Sequence, residues 1–266
     1  MVAIDQTVLR FSIFVSLFVL LALAERAWPR RAAQRDRRWT TNLGLLVLNT
    51  GLLRALSFAV PALPVVAAAF AAEQWRWGLL SVVQLPLGAA AVAGFVVLDL
   101  AVYAQHVAMH AVPALWRLHR VHHADNAFDV TTGLRFHPLE ILVSQLWKIV
   151  AIVIVGVPVI AALAFEIALN ASSMFSHANL KLPAAGERLL RLFIVTPEMH
   201  RIHHSIEQDE HDRNYGFNFS LWDRVFATYR AQTRTPQEAM TIGLMGSPDG
   251  SSFPEMLRFP FARGVT

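Results

Sequence analysis

The chain has no cysteine in its 266 residues. That one absence excludes disulfide scaffolds, thiolate zinc sites, iron–sulfur clusters and cysteine nucleophiles together. Charge is scarce as well, at 16% of residues against about 25% in soluble domains. With 55% hydrophobic residues, the composition argues against an ordinary soluble enzyme. There is no Gly-rich dinucleotide-binding loop, no internal repeat, no low-complexity tract and no fused cytochrome domain. The first 105 residues contain no histidine, yet 11 histidines fall between 106 and 211. Lys+Arg exceed Asp+Glu by 23 to 19, but the arginines flank apolar runs. They mark membrane topology rather than a nucleic-acid partner.

Long apolar runs define the spans. The first covers Phe11 to Ala24 and is followed by Glu25, Arg26 and the cluster Arg30, Arg31, Arg35, Arg37 and Arg38. Ala22-Leu23-Ala24 resembles a signal-peptidase site. The arginines lie after the run, however, as they do for a retained anchor with its amino terminus outside. A second run, from Leu43 to about Ala72, carries Arg54, Pro61 and Pro64, and it is long enough to cross once and then break. The return is expected over Leu79–Tyr103, after a short polar connection with Trp75 and Trp77 at the interface. From Leu139 to Ser176 the chain is mostly apolar with Gly156-Val157-Pro158 at its centre. At about 1.5 Å per residue that is near 57 Å, roughly twice a hydrocarbon core, so the expected form is a hairpin. The predicted fold is all-α. It is a single integral membrane helical bundle of about three spans (8–28, 43–63, 79–103) plus a helical hairpin (139–176). A histidine-rich cytoplasmic metal-binding cap comprises 104–138 and 177–266.

Eight histidines form three clusters: His106-x3-His110, His119-x2-His122-His123 and His200-x2-His203-His204. Residues four apart share a helix face, so His106 and His110 can hold one metal. In H-x2-H-H the adjacent pair diverges by about 100°, which lets one fan serve two neighbouring ions. A tetrahedral zinc takes at most four protein ligands, so eight imidazoles favour two metals. A lone buried histidine is usually just packed and hydrogen-bonded, and a single H-x3-H is weak. The combination near a membrane is different, because clustered imidazoles lose solvation without a compensating ligand. Neutral imidazole suits iron, zinc, copper and nickel alike. A transporter would place its ligands at mid-depth within the spans; these lie past the span ends on one side, as for an enzyme at the membrane face.

Asp99, Tyr103, His106 and His110 are spaced 4, 3 and 4 and share a helix face. Asp99 could bind the distal nitrogen of a liganding histidine, or it could pair with Arg54. Trp222, Val225, Phe226 and Tyr229 repeat on a helix face, packed under the cap or facing lipid. His137, ahead of a proline at a span start, could be a ligand, a partner of a ligand or an interface residue. His211, amid Glu207, Asp209, Glu210 and Asp212, is expected at the surface.

From Asp99 to Tyr229 the ordered set of elements resembles the fatty acid hydroxylase/sterol desaturase superfamily of integral membrane di-iron oxygenases. The set runs through Asp99-x3-Tyr103-x2-His106-x3-His110, His119-Arg120-Val121-His122-His123 and Arg135-Phe136-His137-Pro138-Leu139-Glu140. It continues with His177-Ala178-Asn179, Pro197-Glu198-Met199-His200-Arg201-Ile202-His203-His204, Asn214-Tyr215-Gly216 and Leu221-Trp222-Asp223-Arg224-Val225-Phe226. Three departures stand out: Val107 where many members have arginine, Ala227 where the closing element commonly has glycine, and Ser173 where related hydroxylases have a further histidine. The resemblance implies two iron ions, which zinc can replace in purified protein, and O2 as co-substrate. It implies His106, His110, His119, His122, His123, His177, His200, His203 and His204 as ligands, with His137, Asp99, Tyr103 and Asn179 as possible ligands or their supports. It also implies hydroxylation or desaturation of a lipid, with electrons from an external reductase, ferredoxin or cytochrome b5-like protein. The competing readings are a non-redox membrane zinc protein (a hydrolase or metal transporter) and a bis-histidine haem protein.

Overall fold

The computed structural model describes residues 2–32, 37–247 and 252–262, with side chains from residue 7 onward; Arg35 lies outside them. It is all-helical: among the described residues there are three isolated β-bridges and no strand. Five helices are long and apolar enough to cross a membrane: α1 (Val2–Ala27), α2 (Arg38–Ala59), α5 (Leu87–Ala111), α7 (Pro138–Val155) and α8 (Val159–Ser176). Between α2 and α5 lie α3 (Val65–Gln74) and α4 (Leu79–Val83). The second apolar run breaks after one long helix: α2 stops at Ala59, ahead of Pro61 and Pro64, and α3 packs on α7 and α8.

The third expected span is displaced. Gln84 is left-handed at φ +54° and Pro86 follows, so the helix that starts at Leu79 ends at Val83 and α5 begins at Leu87. Proline is well placed just ahead of a helix, where no backbone donor is needed. At its other end α5 continues past Tyr103 to Ala111, so it carries His106 and His110 on the same helix as Asp99 and Tyr103. The α7–α8 hairpin turns at Gly156, which has φ +73°. A Cβ built on it would sit 2.3 Å from the Trp77 carbonyl oxygen; here both the dihedral and the backbone approach require glycine.

The membrane core joins Val65, Ala69 and Ala72 of α3, Leu98 and Val102 of α5, and Ile152, Ala162 and Phe165 of the hairpin. Beside and beyond the C-terminal end of α5 stand α6 (Pro113–His123), α9 (Ala184–Leu190), α10 (Pro197–His203), α11 (Gln208–His211), α12 (Leu221–Val225) and α13 (Phe253–Arg258). All the histidines sit at this end. So do the chain leaving α1 and the start of α2: Arg30 N donates to the Asn179 carbonyl, and the buried guanidinium of Arg38 pairs with Asp125 and Asp129.

Candidate metal centre

Helix geometry divides the histidines into two nests. The first gathers His106, His110, His119, His123 and His203; the second gathers His122, His177, His200 and His204. Within each, one ligand-capable atom per residue lies within 4.8 Å of the others. The H-x2-H-H fans are split between nests: α6 gives His119 and His123 to the first and His122 to the second, while His203 and His204 part in the same way. All nine histidines that the sequence singles out are therefore brought together.

The outer nitrogens are held. The Nδ1–H groups of His106, His122, His177 and His203 donate to the carbonyls of Tyr215 (2.8 Å), Arg135 (3.1 Å), Ser173 (2.6 Å) and Arg213 (2.8 Å). His119 donates to the Glu140 carboxylate at 2.6 Å and His110 to Asp212 at 3.3 Å. With Nδ1 carrying the proton, the neutral ring has only a lone pair at Nε2. Those lone pairs converge. His122 and His177 face each other Nε2 to Nε2 at 3.0 Å, His177 and His200 at 3.0 Å, and His119 and His123 at 3.2 Å. Nε2 of His106, His110 and His203 is buried without a hydrogen-bond partner. His122 and His177, both tied at Nδ1, oppose two lone pairs that repel unless a cation lies between them; with the partnerless Nε2 atoms of the first nest, the donor set fits a bound metal in each nest.

Electrostatics favour the neutral rings that metals need. Burial lowers the pKa of His119 and of His177 to about 3. It also drives His122, His123, His200, His203 and His204 well below the ordinary imidazole value, and neighbouring imidazoles add to the effect.

The remaining candidates lie elsewhere. Asp99 binds neither a histidine nor Arg54: its carboxylate accepts from the backbone N of Asn218 (3.3 Å) and Phe219 (3.2 Å), from Asn218 Nδ2 (2.8 Å) and from Trp222 Nε1 (2.8 Å). Tyr103 bonds Thr228 at 2.9 Å and stacks on Phe226. Asn179 ties the chain after α8 to Arg31 by bonds in both directions. His137 caps α7, accepting at Nδ1 from Leu139 N, with Nε2 3.3 Å from the Leu257 carbonyl. His211 is not a surface residue. Its ring packs 4.5 Å from His123, 4.8 Å from His110 and 5.0 Å from Trp116, and burial lowers its pKa to about 4. Of the acidic neighbours that suggested solvent, Glu207, Asp209 and Asp212 are exposed, while Glu210 is itself buried against Arg230 and Arg234 N. Trp222 is pinned to Asp99, while Val225 and Phe226 face outward and the helical repeat ends with α12.

Sequence reasoning gave no role to Glu140, the acid of the Pro138-Leu139-Glu140 start of α7, although its place in the motif was visible. Nor could it find the carbonyls that hold four rings, since every residue has one. Asn214 explains its motif: at φ +54°, tolerable for asparagine, it bonds the carbonyls of Met199 and Arg230. Ala227, at φ +57°, occupies the left-handed conformation that explains why glycine is common there, at a cost of about 1–2 kcal/mol.

Comparison with known proteins agrees with this geometry. The family model described as "Fatty acid hydroxylase" matches residues 91–228. Ornithine lipid hydroxylase OlsE of Rhizobium tropici is 26% identical over 97% of this chain and 78% of its own. Alkylglycerol monooxygenase of Homo sapiens is 27% identical over 53% of this chain, and that of Danio rerio 25% identical over 69%. The chain covers only 30% and 41% of those two proteins. No solved structure matches.

Proposed function

The chain belongs to the fatty acid hydroxylase family, and from that membership we propose that it is an O2-dependent hydroxylase of a membrane lipid with a histidine-ligated di-iron centre at the cytoplasmic face. The observation that carries the reading is the pair of nests, in which tethered Nδ1 groups leave Nε2 lone pairs converging in two buried places. His106, His110, His119, His123 and His203 would hold one iron, and His122, His177, His200 and His204 the other. Bound there, the metals supply activation of O2 and oxidation of an unactivated C–H bond.

The chain's own residues set the conditions. Glu140, Asp212 and four backbone carbonyls fix six of the nine rings and their tautomers. Burial keeps the imidazoles neutral and excludes water. Hydroxylation consumes O2, two electrons and two protons, and yields the alcohol and water. The electrons require an external donor, for which the exposed Arg26 and Arg37 near the chain's exit from α1 offer a docking charge. Hydroxylation is favoured over desaturation because the named relatives are a hydroxylase and monooxygenases. The long match to an ornithine lipid hydroxylase supports a polar-headed membrane lipid as substrate. The zinc-hydrolase reading is weaker: it needs a free carboxylate base, and the carboxylate nearest the nests, Glu140, is engaged by His119.

The test is iron-loaded protein with a reductant, O2 and extracted membrane lipids, read by mass spectrometry. An oxygen atom added to a lipid is expected, and the product should be lost in His203→Ala. Full activity in that variant would falsify the metal-site assignment.

A further inference from the structure

One contact fixes the depth of a surface patch of the cap. Asp99 lies twelve residues from either end of α5, about 18 Å from each at 1.5 Å per residue. The neighbouring hairpin gives the same level. Trp147 Nε1 donates to the Ala101 carbonyl, and a Cβ on Gly94 would lie 2.9 Å from Val157 at the hairpin tip. Asp99 is therefore level with the middle of α7. Because its carboxylate holds Asn218, Phe219 and Trp222, the cap reaches halfway down a spanning helix. Phe219 goes a turn deeper, its ring 5.8 Å from that of Phe95. Residues 193–195 come with it, since Ser220 N donates to the Phe193 carbonyl and Val195 N to that of Asn218.

At this depth the outward side chains are apolar: Leu189, Leu192 and Phe193 after and on α9, and Leu221, Val225 and Phe226 on and after α12, are 50–62% exposed. The polar groups beneath find partners inside the protein. Arg224 donates to the Ser220 and Arg191 carbonyls and lies 4.2 Å over the Tyr229 ring, and Arg191 pairs with Glu187. The exposed Arg188 is long enough to carry its charge toward the headgroups. Internal satisfaction of polar groups under an apolar exterior is what hydrocarbon demands of a non-spanning segment. On α5, Val92 continues the Phe95–Asp99 stripe and is 66% exposed, so the patch merges with a lipid-facing flank.

We propose that the α9–α12 patch is immersed in the bilayer, a re-entrant wedge with acyl chains as its occupant, rather than a water-facing surface of the cap. Phe226 stacks on Tyr103 at 5.3 Å, and Tyr215 lies 6.5 Å from Tyr103 and 5.6 Å from His106. A hydrocarbon chain against the wedge is thus separated from the first nest only by aromatic rings. The inference rests on α5 spanning the membrane and on the Asp99 contacts, not on the metal or the reaction.

The absence of cysteine makes the test clean. Phe193→Cys and Val225→Cys are each labelled with a bimane in phosphatidylcholine vesicles, with Val92→Cys as the lipid control and Gln208→Cys as the water control. Quenching of both patch labels by nitroxides on lipid acyl chains is expected, as for Val92→Cys. Reaction of both cysteines with a membrane-impermeant maleimide should be at least about tenfold slower than for Gln208→Cys, as for sites in hydrocarbon. Reaction at the Gln208→Cys rate, with no acyl-chain quenching at either site, would overturn the proposal and make the patch a water-facing or protein-docking surface. A helical spectrum and a single elution peak in detergent report that each variant is folded, and either patch site answers if the other does not fold.

Discussion

The two histidine nests share α6 and α10, each adds a third segment (α5 for the first, the end of α8 for the second), and they are held differently. The second nest is sealed. His122, His177, His200 and His204 are all buried, and its two tethered rings bind backbone carbonyls while Phe128 and Phe136 stack on His177 and His122. The first has one ring more, and two of its five are tied to carboxylates, Glu140 and Asp212. It is also the nest with a rim, because the Asp212 side chain is 47% exposed and His211 and Trp116 pack against its outer rings. The comparison teaches that one nest is fixed by the fold, whereas the other is tuned by side chains that can be changed singly. We infer that the first nest is the adjustable, more accessible side of the centre.

The sharpest way to break that distinction is to remove one ring from each nest. His203→Ala and His204→Ala should each lower the metal content from about two ions to about one, and lipid hydroxylation should fall at least about 100-fold. Elemental analysis beside product formation measures both. If either variant loses both metals, the nests are one cooperative site and the contrast fails.

Glu140 comes next. Its carboxylate orients His119 at 2.6 Å, and removing such a partner costs about 10–100-fold in metal affinity. Glu140→Gln should therefore weaken retention in the first nest against a chelator and spare the second. Ser173→Ala is the matched control, since His177 is held by the Ser173 carbonyl, which alanine keeps. Equal loss from both nests in Glu140→Gln would show that Glu140 supports the whole cap rather than one ring.

These assignments also show what the sequence could reveal. The five apolar helices, the histidine clusters and their division into two groups follow from periodicity and composition, because lipid and metal each impose a simple rule on residue type. The start of α5 was less legible: the apolar character runs unbroken through Leu79–Tyr103, and only the left-handed Gln84 with Pro86 splits it. Asp99 could be read as a costly intramembrane charge needing a partner. Its partners come from residues 218–222, more than a hundred positions away, and no local pattern encodes that. His211 misled because acidic neighbours in sequence do not guarantee solvent: Glu210 among them is itself buried, and the His211 ring packs on His123 and Trp116.

Acid should treat the two nests alike, because burial governs both. His119 in the first and His177 in the second have folded pKa values of about 3, below the unfolded value near 6.5. A depressed histidine binds protons in the unfolded chain first. Its contribution to stability is whole above pH of about 6.5 and is lost as pH falls toward about 3, by up to about 1.4 kcal/mol per pH unit per ring. Melting of metal-free protein should thus move to lower temperature between pH 7 and pH 5. In loaded protein, proton competition should release both metals over one range. Release midpoints separated by more than about one pH unit would show that the nests are not equally shielded.

The smallest effect isolates the rim. Asp212 is half exposed and its contact with His110 is 3.3 Å, so water can replace much of what it gives. Asp212→Asn keeps an acceptor oxygen of the same size and removes the charge. The expected result is a few-fold weaker retention in the first nest, below the roughly 10-fold lower bound for a buried carboxylate partner, with no change in the second. Added salt should narrow the gap between Asp212→Asn and the unaltered protein, since an exposed charge is screened, and should leave the Glu140→Gln defect unchanged. Were Asp212→Asn as damaging as Glu140→Gln and insensitive to salt, Asp212 would be acting as a buried partner. The openness of the first nest would then have to be assigned to His211 and Trp116 instead.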